Sequence, residues 1–489
     1  MNNALRSLLA VVVMVSVQQA TADSLRDIYE LALENDAQLK SEEAIYLAQR
    51  ETENLGRAAL LPQVSSAYTY QDSDVDTDGL SPVFSDNGIE IEETFSNRDT
   101  ETDGYTISLN QAIFDLPAWF TFRSGKEVTK EAEATFAANQ QNLIVRVVDA
   151  YLAVLRAQDN LAASEAAERA FERQLEQTQQ RFEVGLIAIT DVYEAQAARD
   201  LAQVTRIVDE NNVSVALEQL SVLTGQRHYN LNVLKEDFDI RAPEPSDRAE
   251  WVDFALANNF TLQASKYREE AARQTAKANR LEHAPKVSGG YDYSDLDTSG
   301  SLNVKPDTGV VTPPDSTQET HMWQINVTLP LYSGGAISAN RRKAAQEFNA
   351  SRENRINLTR NTVTNTRSLH MTVLSNISRV AARKQAIVSS KSALDATQAG
   401  YEVGTRNVVD VLNAQNTLFS AERDYANSRY DYIISMLQLK EQAGLLSPED
   451  IVRLDTALIP PPPPSTATGG PDGSSTGTSG GSATGSGAP

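Results

Sequence analysis

The residues able to do chemistry in this 489-residue chain are dispersed rather than gathered. Its four histidines, His228, His283, His321 and His370, stand far apart with no H-E-x-x-H spacing, no G-x-S-x-G stands between a strand and a helix as a nucleophile elbow requires, and no G-x-x-x-x-G-K-[ST] loop occurs. Cysteine is absent, which removes zinc-thiolate sites, cysteine nucleophiles, disulfides and the lipid acceptor of bacterial lipoproteins. Neither catalysis nor a cofactor or resident metal is expected. What is organised is a pair of polar constellations. Thr190, Asp191 and Glu194 lie within Phe182 to Gln196, while Tyr401, Arg406, Asp410 and Asn413 lie within Tyr401 to Gln415. The two stretches match at an offset of 219 residues, glycine for glycine at Gly185 and Gly404 and aspartate for aspartate at Asp191 and Asp410. Within the match Arg406 stands opposite Ile187, so one copy carries a cation that the other lacks.

The elements that must carry these residues repeat as well. Leu61-Pro62 with Ala284-Pro285, Ala112-Ile-Phe114 with Pro330-Leu-Tyr332, and Gly225 with Gly444 recur within a few residues of the same offset. The chain reads as a tandem duplication, repeat one over 23–242 and repeat two over 243–459, each a helix, two strands and two long helices. The opening helices, 24–60 and 248–283, both end just before a proline, where helices tend to stop.

Strand signals follow. Trp323, Ile325, Val327, Leu329 and Leu331 alternate with Gln324, Asn326 and Thr328, and Ile107, Leu109 and Ile113 oppose Ser108 and Asn110. Val64 to Gln71 and Val287 to Ser294 are the expected partner strands, with tyrosines near one end. That is the pattern of transmembrane β-strands, apolar outward and polar inward, with an aromatic girdle; a soluble sandwich would instead turn its apolar faces into a core. Residues 72–103 hold eleven acids against one base, Arg98, and 295–320 are rich in Asp, Ser, Thr, Gly and Pro, so both are expected as long solvent-exposed loops.

From Lys126 to Val184 there is neither Gly nor Pro, and the composition favours helix, enough for roughly 85 to 90 Å of continuous rod. A similar run covers 336–399. Second helices are expected over 190–224 and 407–443. Helices of this length, with sustained small and apolar positions, imply a coiled-coil-like assembly rather than a globule.

The ends set the compartment. Arg6 before the apolar run Leu8 to Val15, with Ala20-Thr21-Ala22 after it, reads as a signal peptide over 1–22. At the other end, 460–489 is five prolines followed by a Gly/Ser/Thr-rich stretch, expected as a disordered tail. No later segment is apolar for long enough to cross a bilayer as a helix, so insertion must be by strands. A formal charge of -23 makes nucleic acid an improbable partner. Four strands per chain cannot close a membrane barrel, for which about eight is the minimum, and open edges in lipid are costly; the barrel must be built from several chains.

On these residues, above all 184–192, 401–414 and Leu329 to Gly335, the chain resembles the TolC-type outer-membrane efflux proteins, the outer membrane factor family, over essentially everything to about residue 459. The resemblance implies a mixed α and β membrane protein, a homotrimer whose 12-stranded β-barrel is continuous with a long α-helical coiled-coil tunnel in the periplasm. It implies an exit duct for efflux or type I secretion in the cell outer membrane, working with a periplasmic adaptor protein and an inner-membrane transporter. It further implies that Thr190, Asp191, Tyr401 and Arg406 link inner and outer coiled coils at the closed end, for which a charge-assisted bond from Arg406 to Asp191 and a hydrogen bond from Tyr401 are the natural chemistry. Asp410 matches a carboxylate ring in the constricted lumen. Here the chain departs from the family pattern, which has a second aspartate one turn later; this chain has Asn413, with Glu194 at the equivalent place in repeat one expected to compensate. A structural or adhesive surface coiled coil is the alternative, although it would not need alternating strands.

Overall fold

The computed structural model describes residues 23–85, 88–305 and 315–461. The expected signal peptide and all but the first two residues of the expected tail lie outside the described residues. The chain opens with α1 (Leu25–Asn35) and α2 (Ala37–Ala58), two helices where one had been expected. Asp36 separates them. Its backbone is extended, and its buried carboxylate accepts from the amides of Gln38 and Leu39, so an N-cap starts a new helix. The second opening segment breaks in the same way, into α5 (Arg248–Asn258) and α6 (Phe260–Arg280), at Asn259, whose side chain accepts from the Leu262 amide.

Between the two helical openings lie β1 (Gln63–Ser85), β2 (Gly88–Phe114), α3 (Leu116–Glu183), α4 (Ile189–Thr224) and the short β3 (Val233–Leu234). After α6 come β4 (Lys286–Lys305), β5 (Ser316–Thr328), α7 (Ala336–Glu402), α8 (Val408–Gln442), α9 (Pro448–Asp455) and β6 (Leu458–Ile459). The order helix, helix, strand, strand, long helix, shorter helix thus occurs over 25–224 and again over 248–442.

The strands form one antiparallel sheet in the order β1-β2-β4-β5. Here the expectation of long loops is corrected. Residues 72–85 pair with 88–101 along their whole length, and strand pairing continues through Lys305 and resumes at Ser316. The acidic composition concealed a period of two: Asp72, Asp74, Asp76 and Asp78 share one face, with Ser73, Val75 and Thr77 on the other, and ladder hydrogen bonds to β2 satisfy the backbone whatever the side chains. At the other end β5 stops at Thr328, so Leu329 and Leu331 lie beyond the strand on which they were expected.

Register assigns the faces. Val64, Leu109, Tyr291 and Trp323 form one row, and Tyr68 and Tyr105 a higher one. Beyond the tyrosines, directly opposed carboxylates follow on the same face, Asp103 against Asp297 and Asp72 against Glu101. Among the described residues no second sheet covers the apolar rows: Trp323, Ile325 and Val327 are 80, 74 and 66% exposed. A sandwich would have buried them.

α3 spans 68 residues, about 100 Å at the rise of an α-helix. It extends past the expected start to include Gly125, where a Cβ would come within 2.8 Å of the Thr52 carbonyl oxygen; α2 therefore lies directly against α3. α3 pairs with α4 and α7 with α8, and α3 also packs on α8. One apolar core gathers Leu25, Ile28, Leu143, Tyr151, Leu220, Trp251, Tyr430 and Leu439 from α1, α3, α4, α5 and α8. Next to it β3 pairs with β6. A second, smaller cluster, Phe171, Ala202, Tyr401, Val408, Val411 and Leu412, sits toward the far end of the helices.

Candidate functional site

Both long helices turn back at that far end through matched glycines. Gly185 and Gly404 adopt φ of 75° and 77°, left-handed conformations that favour glycine, which explains why this residue repeats at the offset of 219. After Gly185, α4 begins at Ile189 without a side-chain cap. Thr190 is exposed on its first turn, and Asp191 beside it has no ion-pair partner among the described residues. The N-terminal end of a helix is a favourable place for that carboxylate.

The second tip is tied more firmly. Thr405 N and Oγ1 and Arg406 N all donate to the Gly400 carbonyl oxygen, at 2.8, 3.0 and 3.2 Å. Asn407 caps α8: its Oδ1 accepts from Asp410 N at 2.8 Å, and Asp410 Oδ2 accepts in return from Asn407 N at 3.4 Å. Asp410 therefore holds its own helix terminus, a role that the Asn-x-x-Asp spacing could have signalled and that was missed. Arg406 Nη1 lies 3.7 Å from Asp410 Oδ2, with its side chain 60% exposed. Within one chain the arginine thus meets Asp410, not Asp191.

Tyr401 is buried in the small cluster and its hydroxyl finds no partner among the described residues. The Arg181 guanidinium lies over its ring at 4.5 Å, a cation–π contact between α3 and α7 that the sequence did not suggest. Arg181 and Tyr401 line a cavity of about 580 Å³ with Gln174, Gln177 and Gln398. Glu194 and Asn413 both line a second one, about 610 Å³, between α3, α4 and α8, so these two positions do share one space. At its wall Arg423 Nη2 on α8 donates to the buried Asp209 Oδ2 on α4 at 2.9 Å, joining the two helix pairs. Above, desolvation raises the half-buried Asp159 carboxyl, against the lowering effects of the Tyr430 hydroxyl and Arg429. No group of three or more metal-ligating side chains occurs among the described residues. Arginines, carboxylates and a phenol at helix tips can latch and line a passage.

The model of the outer membrane efflux protein family matches residues 28–226 and 251–445. The chain belongs to that family. As an outer membrane efflux protein, it resides in the outer membrane with its helical part in the periplasm. It is 34% identical over 443 residues to outer membrane protein TolC of Vibrio cholerae, covering 89% of this chain and 94% of that one. To the alkaline protease secretion protein AprF of Pseudomonas aeruginosa it is 30% identical, with 89% and 87% covered. The CmeC outer membrane channel of Campylobacter jejuni superposes with a TM-score of 0.70 over 94% of this chain and 98% of that structure; at 17% identity this speaks to the fold alone. Families of this kind are ducts rather than enzymes.

Proposed function

We propose that three copies of this outer membrane efflux protein close one 12-stranded barrel and one helical tunnel, forming a gated exit duct for efflux or type I secretion. The duct function itself follows from the family and from relatives named for outer-membrane efflux and for protease secretion. The trimer rests on one observation above others. Leu201, Val208, Val215 and Val222 of α4 recur every seven residues and are 69, 52, 46 and 76% exposed, a heptad seam without a partner among the described residues. The sheet makes the same demand: β1 and β5 are its edges, and pairing β5 of one copy with β1 of the next removes open edges from lipid.

In this reading residues 23–242 and 243–459 are the two halves of a duplicated unit. Thr190, Asp191, Tyr401 and Arg406 link coiled coils at the periplasmic end, with the exposed Arg406 reaching Asp191 across chains and the unpartnered Tyr401 hydroxyl gaining an acceptor there. Asp410 forms the lumen constriction, and Asn413 in place of a second carboxylate makes the constriction less cation-selective, with Glu194 contributing charge nearby. A periplasmic adaptor and an inner-membrane transporter supply substrate and energy. Native mass spectrometry of the protein in detergent tests the assembly: a species of three chains, dissociated by boiling, is expected, and a monodisperse single chain would sink the barrel arithmetic.

A further inference from the structure

We propose that the periplasmic rim of the strands carries a cationic collar that binds anionic phospholipid headgroups in the inner leaflet of the outer membrane. The helix ends that meet the strands are charged unlike the rest of the chain. Residues 55–63, 110–126, 277–288 and 328–343 hold nine Lys or Arg against two acids, Asp115 and Glu282, whereas the whole chain has 43 bases and 66 acids. Toward the far end of the same strands directly opposed carboxylates share one face, so the cationic bias belongs to one rim. Helix dipoles explain part of it, since Arg57 and Arg280 stand in the last turns of α2 and α6. They do not explain Arg123 and Lys126 early in α3, or the run Arg341-Arg342-Lys343 early in α7, because a helix N-terminus gives a cation no support. Arg123, Arg341 and Arg342 are exposed and have no ion-pair partner among the described residues.

The packing of α3 sets where its cations point. Ser124 bonds to the Ala271 carbonyl oxygen and the Thr275 hydroxyl on α6, and Gly125 lies against Thr52 of α2. Trp119, Arg123 and Lys126, spaced i, i+4 and i+7, share a face turned away from both contacts, and all three are exposed. Trp119 follows the last residue of β2, Phe114, by five positions, where an indole suits the boundary between lipid and water. Arg123 and Lys126 come about 6 and about 10 Å further along the helix, within reach of the headgroup layer. The guanidinium offers forked bonds to a phosphodiester. The Lys126 ammonium rests over the Phe122 ring at 5.6 Å, a contact that leaves its other side free for an anion. Exposed Leu331 and Tyr332 repeat the arrangement ahead of Arg341 and Arg342. Basic clusters beside a membrane span attract anionic lipid. The inference rests on the sheet lying in the bilayer, and not on the gate or on the number of copies.

Native mass spectrometry of the full-length protein in detergent tests it, with phosphatidylglycerol and phosphatidylcholine of the same acyl chains added separately. The native protein should bind phosphatidylglycerol saturably and about tenfold more tightly than phosphatidylcholine, with the preference shrinking as salt rises. Arg123→Gln combined with Lys126→Gln should remove most of that preference. Arg123→Lys combined with Lys126→Arg should keep it, which separates lost charge from misfolding. Arg453→Gln removes an exposed cation on α9, beside the main core, and should leave the preference unchanged. The same spectra report the number of chains, so failure of the collar is distinct from failure of the barrel. Four results overturn the proposal: equal affinity for the two lipids; a preference retained in the double glutamine variant; an equal loss in Arg453→Gln, which would mean net charge alone; or a preference confined to dissociated chains, which would mean that a neighbouring copy covers the collar.

Discussion

Arg423 and Asp209 give an asymmetric prediction. Asp209 is 9% exposed at its side chain and Arg423 34%, and their bond spans α8 and α4. Arg423→Met leaves a carboxylate buried without its cation, and removing one partner of a buried pair costs roughly 3 to 5 kcal/mol. The lower end, about 3 kcal/mol, applies here because Arg423 is one-third exposed and water already screens the pair. Asp209→Asn is milder. The amide oxygen still accepts from the guanidinium, and a freed Arg423 can turn toward solvent, so the expected loss is about 1 kcal/mol. Replacing both, Asp209→Leu with Arg423→Met, removes both charges and recovers most of the stability. Thermal unfolding of the detergent-solubilised protein by circular dichroism reads the order: Arg423→Met melts lowest, then Asp209→Asn, then the double variant. If Asp209→Asn melts below Arg423→Met, burial is not what sets the cost and the reasoning fails.

Three further outcomes follow from local geometry. Gly125→Ala should lower stability by about 1 kcal/mol or more in the same melts, because the Cβ meets the Thr52 carbonyl oxygen at 2.8 Å and the clash outweighs a helix-propensity gain of about 1 kcal/mol. Burial raises the Glu441 carboxyl, against the lowering contact with Asn142, so its ionised form is penalised in the folded state. Its contribution is therefore favourable below the unfolded pKa and is lost as pH rises through the folded one; Glu441→Gln, which keeps an acceptor for Asn142, should raise the melting temperature at pH 7 and lose that advantage below about pH 4. Tyr401→Phe removes a hydroxyl without a partner among the described residues and should leave stability of dissociated chains unchanged, yet raise conductance of the assembled channel if the hydroxyl bonds across chains.

Much of this architecture was legible because its signals are long. A helix free of Gly and Pro for dozens of residues has few alternatives, and a motif repeated at Gly185 and Gly404 marks a turn that needs φ > 0 at both places. The breaks at Asp36 and Asn259 were hidden because a single capping residue interrupts an otherwise helical composition without any Gly or Pro. The outer halves of β1 and β2 were hidden because acid-rich sequence reads as loop, although Asp72 to Asp78 alternate as a strand must. At the tip, residue types were readable and partners were not. Whether Arg406 faces Asp191 or Asp410 depends on chains brought together, and the Arg181–Tyr401 stack joins residues 220 apart with no motif to connect them.

The claim of a gated duct is tested most directly by single-channel conductance in planar bilayers, comparing the native protein with Arg406→Ser. Loss of one charge-assisted link of about 1 to 3 kcal/mol should loosen the closed end, so the native protein gives a small, mostly closed conductance and the variant a larger one. Equal conductance would remove Arg406 as a latch. No conductance from a verified folded oligomer would contradict the duct itself.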